Sequence, residues 1–375
     1  MSVTRASEPR LAGCPEVRVL RFTYFPQLDG FRGLAAILVL AGHALEFSTT
    51  PFKAIGANTA QLGVMLFFVL SGFLITGLLY RERADSERIN LRRFYVRRAL
   101  RLAPALLLFL TVCFALVKCK AITDVPGYEF IVCLLYLRDV YGRSLSLGHL
   151  WSLALEEQFY LLWPWFMKFV RRDRLLTIAI SMTVLISTFR MVGIRLAIVN
   201  YQTGAFYERP WFRFDSILIG CCLALALLKS QFNFEHLTTL ASYVPREAAW
   251  GFLLVWTAWG ENLSHTLYIT LQMIGAALVL CQLIVVPKGR MYTFFSARSL
   301  RYCGRISYSL YLWQQLFLVV KYPVWGMLRV FPISILAPFA CAMLSYHLLE
   351  VPALKLRKML ESSTNPAGAV GRVDS

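Results

Sequence analysis

Two ionisable side chains, Arg32 and His43, stand inside the first long apolar stretch, DGFRGLAAILVLAGHALEF. An ionisable group at membrane depth is expensive, and the residues that carry one are candidates for function. Eleven residues of helix separate the pair, about 16 Å along the axis and on one face at about 100° per residue. The segment Gly148–Pro164, GHLWSLALEEQFYLLWP, holds adjacent carboxylates at Glu156 and Glu157. Adjacent side chains diverge by about 100°, so at most one of them faces a given site. An imidazole beside a carboxylate is the usual arrangement of a general base, because the carboxylate fixes the tautomer. Either Glu156 or Glu157 could serve His43 in that way. The segment RRFYVRRALRLAP, residues 92–104, places Arg98 and Arg101 three apart on one helical face. Guanidinium forks there suit phosphate groups. In RPWFRFDSILIG, Arg213 and Asp215 open another apolar run. Each feature also has an ordinary reading: a snorkelling arginine, a hydrogen-bonded core histidine, a capped helix start, a buried ion pair or plain positive charge at a membrane surface. The residues alone leave both readings open.

The elements that must position these side chains are membrane helices. The chain of 375 residues is 58% hydrophobic and 16% charged, with a mean hydropathy of +0.57; soluble domains carry nearer a quarter charged residues. Apolar runs bounded by charge or turn residues predict an all-α, polytopic bundle of about ten transmembrane helices. They fall near 28–47, 59–80, 99–118, 151–170, 175–198, 212–228, 247–260, 264–286, 306–328 and 331–350. Residues 128–138 are apolar but too short to cross, and are expected to be re-entrant or interfacial. Residues 1–25 read as a cytoplasmic segment, 26–352 as one membrane domain and 353–375 as a cytoplasmic, disordered tail.

The net charge of +18 is gathered at 81–101, 168–174, 288–305 and 355–358, between apolar runs. With both termini inside, all four clusters face the cytoplasm, as the positive-inside rule predicts. The placement argues against a nucleic-acid surface. The nine cysteines form no CxxC pair and the five histidines no ligand spacing, so neither disulfides nor metal is expected.

Seven segments in order then resemble the bacterial acyltransferase family 3 of integral-membrane O-acyltransferases, over about 26–352. They are LDGFRGLAAILVLAGH, with Arg32 and His43 as its R-x10-H pair; GVMLFFVLSGFLIT (63–76); RRALR (97–101), with Arg98 and Arg101 as its RxxR; LWSLALEEQFYLLWP (150–164); RFDSILIG (213–220); GRISYSLYLW (304–313); and HLLEVP (347–352). Where family members commonly carry His after YLW, this chain has Gln314. Glutamine can hydrogen-bond but cannot exchange a proton near neutral pH, so Gln314 is not expected to be catalytic. The resemblance implies a multi-pass protein of the bacterial inner membrane. It would transfer an acyl group, usually acetyl, from acyl-CoA as co-substrate to a hydroxyl of a carbohydrate or glycosylated acceptor, with no bound cofactor. His43, Glu156 and Glu157 would be catalytic, and Arg32, Arg98, Arg101, Trp151, Ser152, Tyr160 and Asp215 would bind substrates. A pantetheine arm is similar in length to the Arg32–His43 span, which would let a cytoplasmic donor serve an outward-facing acceptor. The rival from another class is a transporter or flippase of a lipid-linked sugar or small metabolite; no internal repeat of the transporter kind is visible.

Overall fold

The computed structural model describes residues 25–47, 51–196, 208–228, 246–259, 265–286, 288–318 and 331–364. These residues form helices and no strand. In chain order they are α1 (Pro26–Glu46), α2 (Lys53–Ser86), α3 (Leu91–Lys118), the short α4 (Tyr128–Leu134) and α5 (Arg138–Tyr141), α6 (Leu150–Phe169), α7 (Arg172–Arg195), α8 (Pro210–Leu228), α9 (Arg246–Trp259), α10 (His265–Val285), the short α11 (Arg290–Phe295), α12 (Arg298–Leu318) and α13 (Ile333–Ser345). A π-helical turn, Tyr346–Glu350, then leads into α14 (Val351–Thr364). Seven stretches are long and apolar enough to cross a membrane: α1, α2, α3, α7, α8, the body of α10 and the continuous Ile333–Leu356. The described parts of the other three expected spans, 151–169, 247–259 and 306–318, are helical. However, α6 carries Glu156 and Glu157, α12 opens with Arg298, Arg301 and Arg305, and α9 has 14 residues, about 21 Å against a hydrocarbon core of about 30 Å. The chain is an all-α polytopic membrane bundle. Leu161, Leu162, Val184, Leu185 and Phe189 are exposed on its outside, as a protein with lipid for solvent requires.

Several boundaries differ from the hydropathy reading. Helix α2 runs on past Tyr80 to Ser86, where an Arg81–Asp85 pair one turn apart supports it. Helix α3 starts at Leu91 rather than near 99, because the Asn90 side chain caps it by accepting the Arg93 N–H at 3.0 Å. The tail expected to be disordered from 353 is helical through Thr364. Pro352 suits a helix's first turn, and Ala353–Leu360 holds mostly strong helix formers. The expected segments 1–24, 201–207, 319–328 and 365–375 lie outside the described residues.

Small residues let the central helices meet backbone to backbone. A Cβ on Gly304 of α12 would stand 1.8 Å from the Asp29 carbonyl oxygen of α1, and one on Gly72 of α2 1.9 Å from the Ile217 carbonyl oxygen of α8. Close approach through glycine is how helices associate where lipid removes the hydrophobic drive. It seats α1 between α2 and α12, and α8 against α2. The segment between α3 and α6 does not cross: α4 has seven residues and α5 four. It is pinned by buried charge. Glu129 accepts the N–H groups of Arg143 and Ser144 at 2.6 and 2.8 Å, and the Arg138 guanidinium lies 3.7 Å from Glu129 and 3.4 Å from Glu208. Gln158 of α6 donates to Asp139 at 2.9 Å, which fixes α6 relative to this segment.

Three positive clusters are tied to one end of the bundle. Arg83 donates to the carbonyls of Met167 and Val170 at 2.5 and 2.7 Å, and Arg172 donates to the Arg83 carbonyl. The start of α12, which carries the third cluster, packs beside the start of α1 through Gly304.

Candidate active site

A cavity of about 490 Å³ opens among the starts of α1 and α3, the second half of α2, and α6. Arg32, Arg81, Arg98 and Arg101 line it together with two carboxylates, Asp29 and Glu156. Four of the sequence-predicted residues (Arg32, Arg98, Arg101 and Glu156) thus converge, and Tyr160 joins them on the wall.

The arginines are not equivalent. Arg98 pairs with Glu157 through two nitrogens, Nη2 and Nε lying 2.6 and 2.8 Å from Oε1. Its guanidinium lies flat on the Tyr160 ring, 3.3 Å from the centroid. Arg32 makes a long contact of 3.4 Å to Asp29 one turn earlier. Arg101 forms no salt bridge with a carboxylate among the described residues; its charged neighbours are Arg32, Arg98 and, acting more weakly, Glu350. It is exposed on α3 and lines the cavity. An anion entering there would meet an uncommitted guanidinium.

The two adjacent glutamates diverge as the helix demands, but their partners differ from expectation. Glu156 turns into the cavity and accepts a hydrogen bond from Ser71 Oγ at 3.0 Å. Glu157 turns away to Arg98. Neither reaches His43, so the expected carboxylate–imidazole pair is corrected. Helix rotation brings α6 against α2 and α3 at this level, and His43 belongs to the far end of α1. The polar side chain facing the His43 imidazole is Gln314 of α12. The two lie side by side without completing a well-formed hydrogen bond: His43 Nδ1 and both amide atoms of Gln314 are buried and unpaired.

Above Glu156 lies a small cavity whose wall includes Ser152, Ser307 and Tyr311. The Ser152 and Tyr311 hydroxyls are hydrogen-bonded to each other, and Tyr311 donates to the His149 carbonyl at 2.8 Å. The His149 backbone N–H donates to Gln315 Oε1 at 2.9 Å. The His149 ring is buried edge-on against Phe109 and Tyr311. Both of its nitrogens lack partners, and it lies within electrostatic reach of His43. Going up from the arginines, the polar groups therefore run through Ser71 and Glu156, then Ser152 and Tyr311, to His149, and end at Gln314 and His43. His149 was missed in the sequence, although an imidazole three residues before Ser152, inside an otherwise apolar segment, was the available signal.

Two predicted substrate-binding residues sit elsewhere. Trp151 packs edge-on against Phe68 and under the Arg213 guanidinium, 5.8 Å from its ring centroid. Asp215 is fully buried in an ion pair of 2.7 Å with Arg190 of α7 and accepts from Ser187 at 2.8 Å. It holds α7 to α8 and lines none of these cavities, so its expected substrate role is corrected: its carboxylate is already saturated.

The fold and this polar column define a polytopic membrane protein with an arginine-lined cavity leading toward buried imidazoles. The acyltransferase domain of family 3 matches residues 25–347, and the chain belongs to that family. It is similar to the putative peptidoglycan O-acetyltransferase YrhL of Bacillus subtilis, with 30% identity over 88% of this chain and 55% of the relative. Peptidoglycan O-acetyltransferase OatA of Listeria monocytogenes is 29% identical over 88% and 56%, and O-acetyltransferase OatA of Staphylococcus aureus 30% identical over 88% and 57%. The chain spans little more than half the length of these relatives. No solved structure matches it.

Proposed function

We propose that the chain is an O-acyltransferase that moves an acyl group, acetyl first among candidates, from an acyl-CoA donor to a hydroxyl of a cell-envelope glycan. The names of its relatives make peptidoglycan the first acceptor to test. The observation that carries this reading is the polar column itself. It has surplus guanidinium at one end, where a nucleotide's phosphates would dock, and unpaired imidazole at the other, where a hydroxyl would be deprotonated. The protein then sits in the bacterial cytoplasmic membrane with both termini and the cluster-bearing end of the bundle in the cytoplasm, in keeping with the positive-inside rule.

In this mechanism the donor's phosphates meet Arg101, Arg32 and Arg98, and the thioester arm rises past Ser71 and Glu156. His43 takes the proton of the acceptor hydroxyl as its oxygen attacks the thioester carbonyl. The C–O bond forms, the C–S bond breaks, and the thiolate leaves to be protonated as free CoA. Gln314, which cannot exchange protons, lies beside the His43 ring and takes no part in the transfer.

The test is acceptor-dependent release of CoA thiol from acetyl-CoA by the purified full chain, with peptidoglycan fragments as acceptor and the ester detected on the glycan. Thiol release without an acylated acceptor, or none with any envelope glycan, would overturn the reading. Arg101→Ala is expected to raise the donor KM by about tenfold or more. A hydrogen bond to a charged group contributes about 1.5–3 kcal/mol, and 1.4 kcal/mol is tenfold in affinity. The acceptor KM should stay within about twofold; a change confined to the acceptor would remove the arginine from the donor site.

A further inference from the structure

We propose that the small cavity above Glu156 is the seat of the acyl group and limits it to two carbons. The inference rests on the acyl-transfer reading and adds a substrate restriction to it. The cavity has a volume of about 60 Å³, with Val64, Phe68, Ser152 and Tyr311 on its wall and Phe67 and Glu156 shared with the arginine-lined cavity below, toward which it opens. It therefore lies next in line for whatever the donor arm carries past Glu156.

Its size and polarity both select. An apolar cavity of about 150 Å³ holds benzene. By proportion, about 60 Å³ holds two or three heavy atoms, which is an acetyl group and little more. One wall is apolar and rigid: Val64 is 6% exposed and Phe68 1%, and Phe68 is held edge-on by Trp151 at 5.9 Å. The opposite wall carries the paired Ser152 and Tyr311 hydroxyls. A short acyl group fits with its methyl toward Val64 and Phe68; the Tyr311 and Ser152 protons are already engaged with the His149 carbonyl and with each other, so the hydroxyl side is polar and disfavours a longer apolar chain. Phe67, whose ring meets Tyr311 edge-on at 6.3 Å, stands at the junction of the two cavities and bounds the space open to a longer chain. Extra methylenes have to displace packed core, and a pocket discriminates by about 10- to 200-fold for each one.

The experiment is a donor series of acetyl-, propionyl-, butyryl- and hexanoyl-CoA, given to the full-length wild type and to Phe67→Ala and Val64→Ala, and read as the ratio of kcat/KM for each donor to that for acetyl-CoA. The ratio is internal to each protein, so partial loss of folded enzyme does not move it; Phe67→Leu replaces Phe67→Ala if the latter does not fold. The wild type is expected to lose at least tenfold between acetyl and propionyl. Each enlarging variant should raise the propionyl ratio by at least fivefold. Conversely, Val64→Phe should lower acetyl transfer while the protein still binds desulfo-CoA, which carries no acyl group. A wild type that uses hexanoyl as readily as acetyl, or variants that transfer acetyl with an unchanged ratio, would overturn the assignment and leave the transferase reading standing. A wild type that uses no CoA donor at all would overturn both.

Discussion

Replacing His43 by alanine is expected to lower acyl transfer by about 10²- to 10⁴-fold, the range contributed by a positioned general base, while leaving the bundle folded. Stability and activity separate here because of what His43 lacks. Its Nδ1 is buried without a partner, and so are both amide atoms of the neighbouring Gln314. Removing a polar atom that makes no hydrogen bond forfeits none, whereas deleting one half of a satisfied buried pair costs about 1–3 kcal/mol. A His43→Ala protein should therefore elute, bind donor and unfold much like the wild type. The measurement is thiol release beside a thermal midpoint in the same detergent. Wild-type turnover in a folded His43→Ala protein would remove this imidazole from the chemistry. Parallel loss of turnover and midpoint would mark His43 as structural.

The helices were legible and their exact lengths were not, for one reason. Hydropathy reports where lipid lies, and a helix need not stop where lipid does. Helix α2 continues through the charged Arg81–Ser86 because charge pairs one turn apart suit a helix in water, and α3 begins two turns early on basic residues that are good helix formers. In the site, the three-residue spacing placed Arg98 and Arg101 on one face of α3, and both line the cavity; that Arg32 of α1 lines it too was not legible from spacing. The roughly 100° between neighbours correctly anticipated that Glu156 and Glu157 would serve different masters. Which partner each would find was not legible. That Glu157 meets Arg98 and Glu156 meets Ser71 depends on the rotation of α6 against α2 and α3, which the bonds from Gln158 to Asp139 and from Trp163 to Thr76 of α2 help to set. No periodicity within one segment carries that information. His149 and Arg190 are a different case. Each is an ionisable group inside an apolar run, and the rule that drew attention to Arg32 and His43 applied to them equally.

Arg190 leads to the largest expected loss of stability. Its guanidinium and the Asp215 carboxylate are both fully buried, 2.7 Å apart. The guanidinium also donates to the Phe212 carbonyl at 2.6 Å and to Thr270 at 3.0 Å, while Asp215 accepts from Ser187 at 2.8 Å. One ion pair thus joins α7, α8 and α10. Asp215→Ala leaves a guanidinium with no counter-charge in a dry interior, and breaking such a pair from one side costs about 3–5 kcal/mol. Asp215→Asn keeps the shape and part of the hydrogen bonding, so it should fall between alanine and wild type. The double variant Arg190→Met with Asp215→Leu removes both charges and should recover part of the loss. Recovery stays incomplete because the Phe212 carbonyl and the Thr270 and Ser187 hydroxyls lose a partner. The order expected for thermal midpoints in detergent is therefore wild type highest, Asp215→Ala lowest, and the other two between them. The arginine-lined cavity is built by α1, α2, α3 and α6, so the donor KM of whatever fraction stays folded should be unchanged. An Asp215→Ala protein with a wild-type midpoint and a raised KM would instead return this carboxylate to the substrate site.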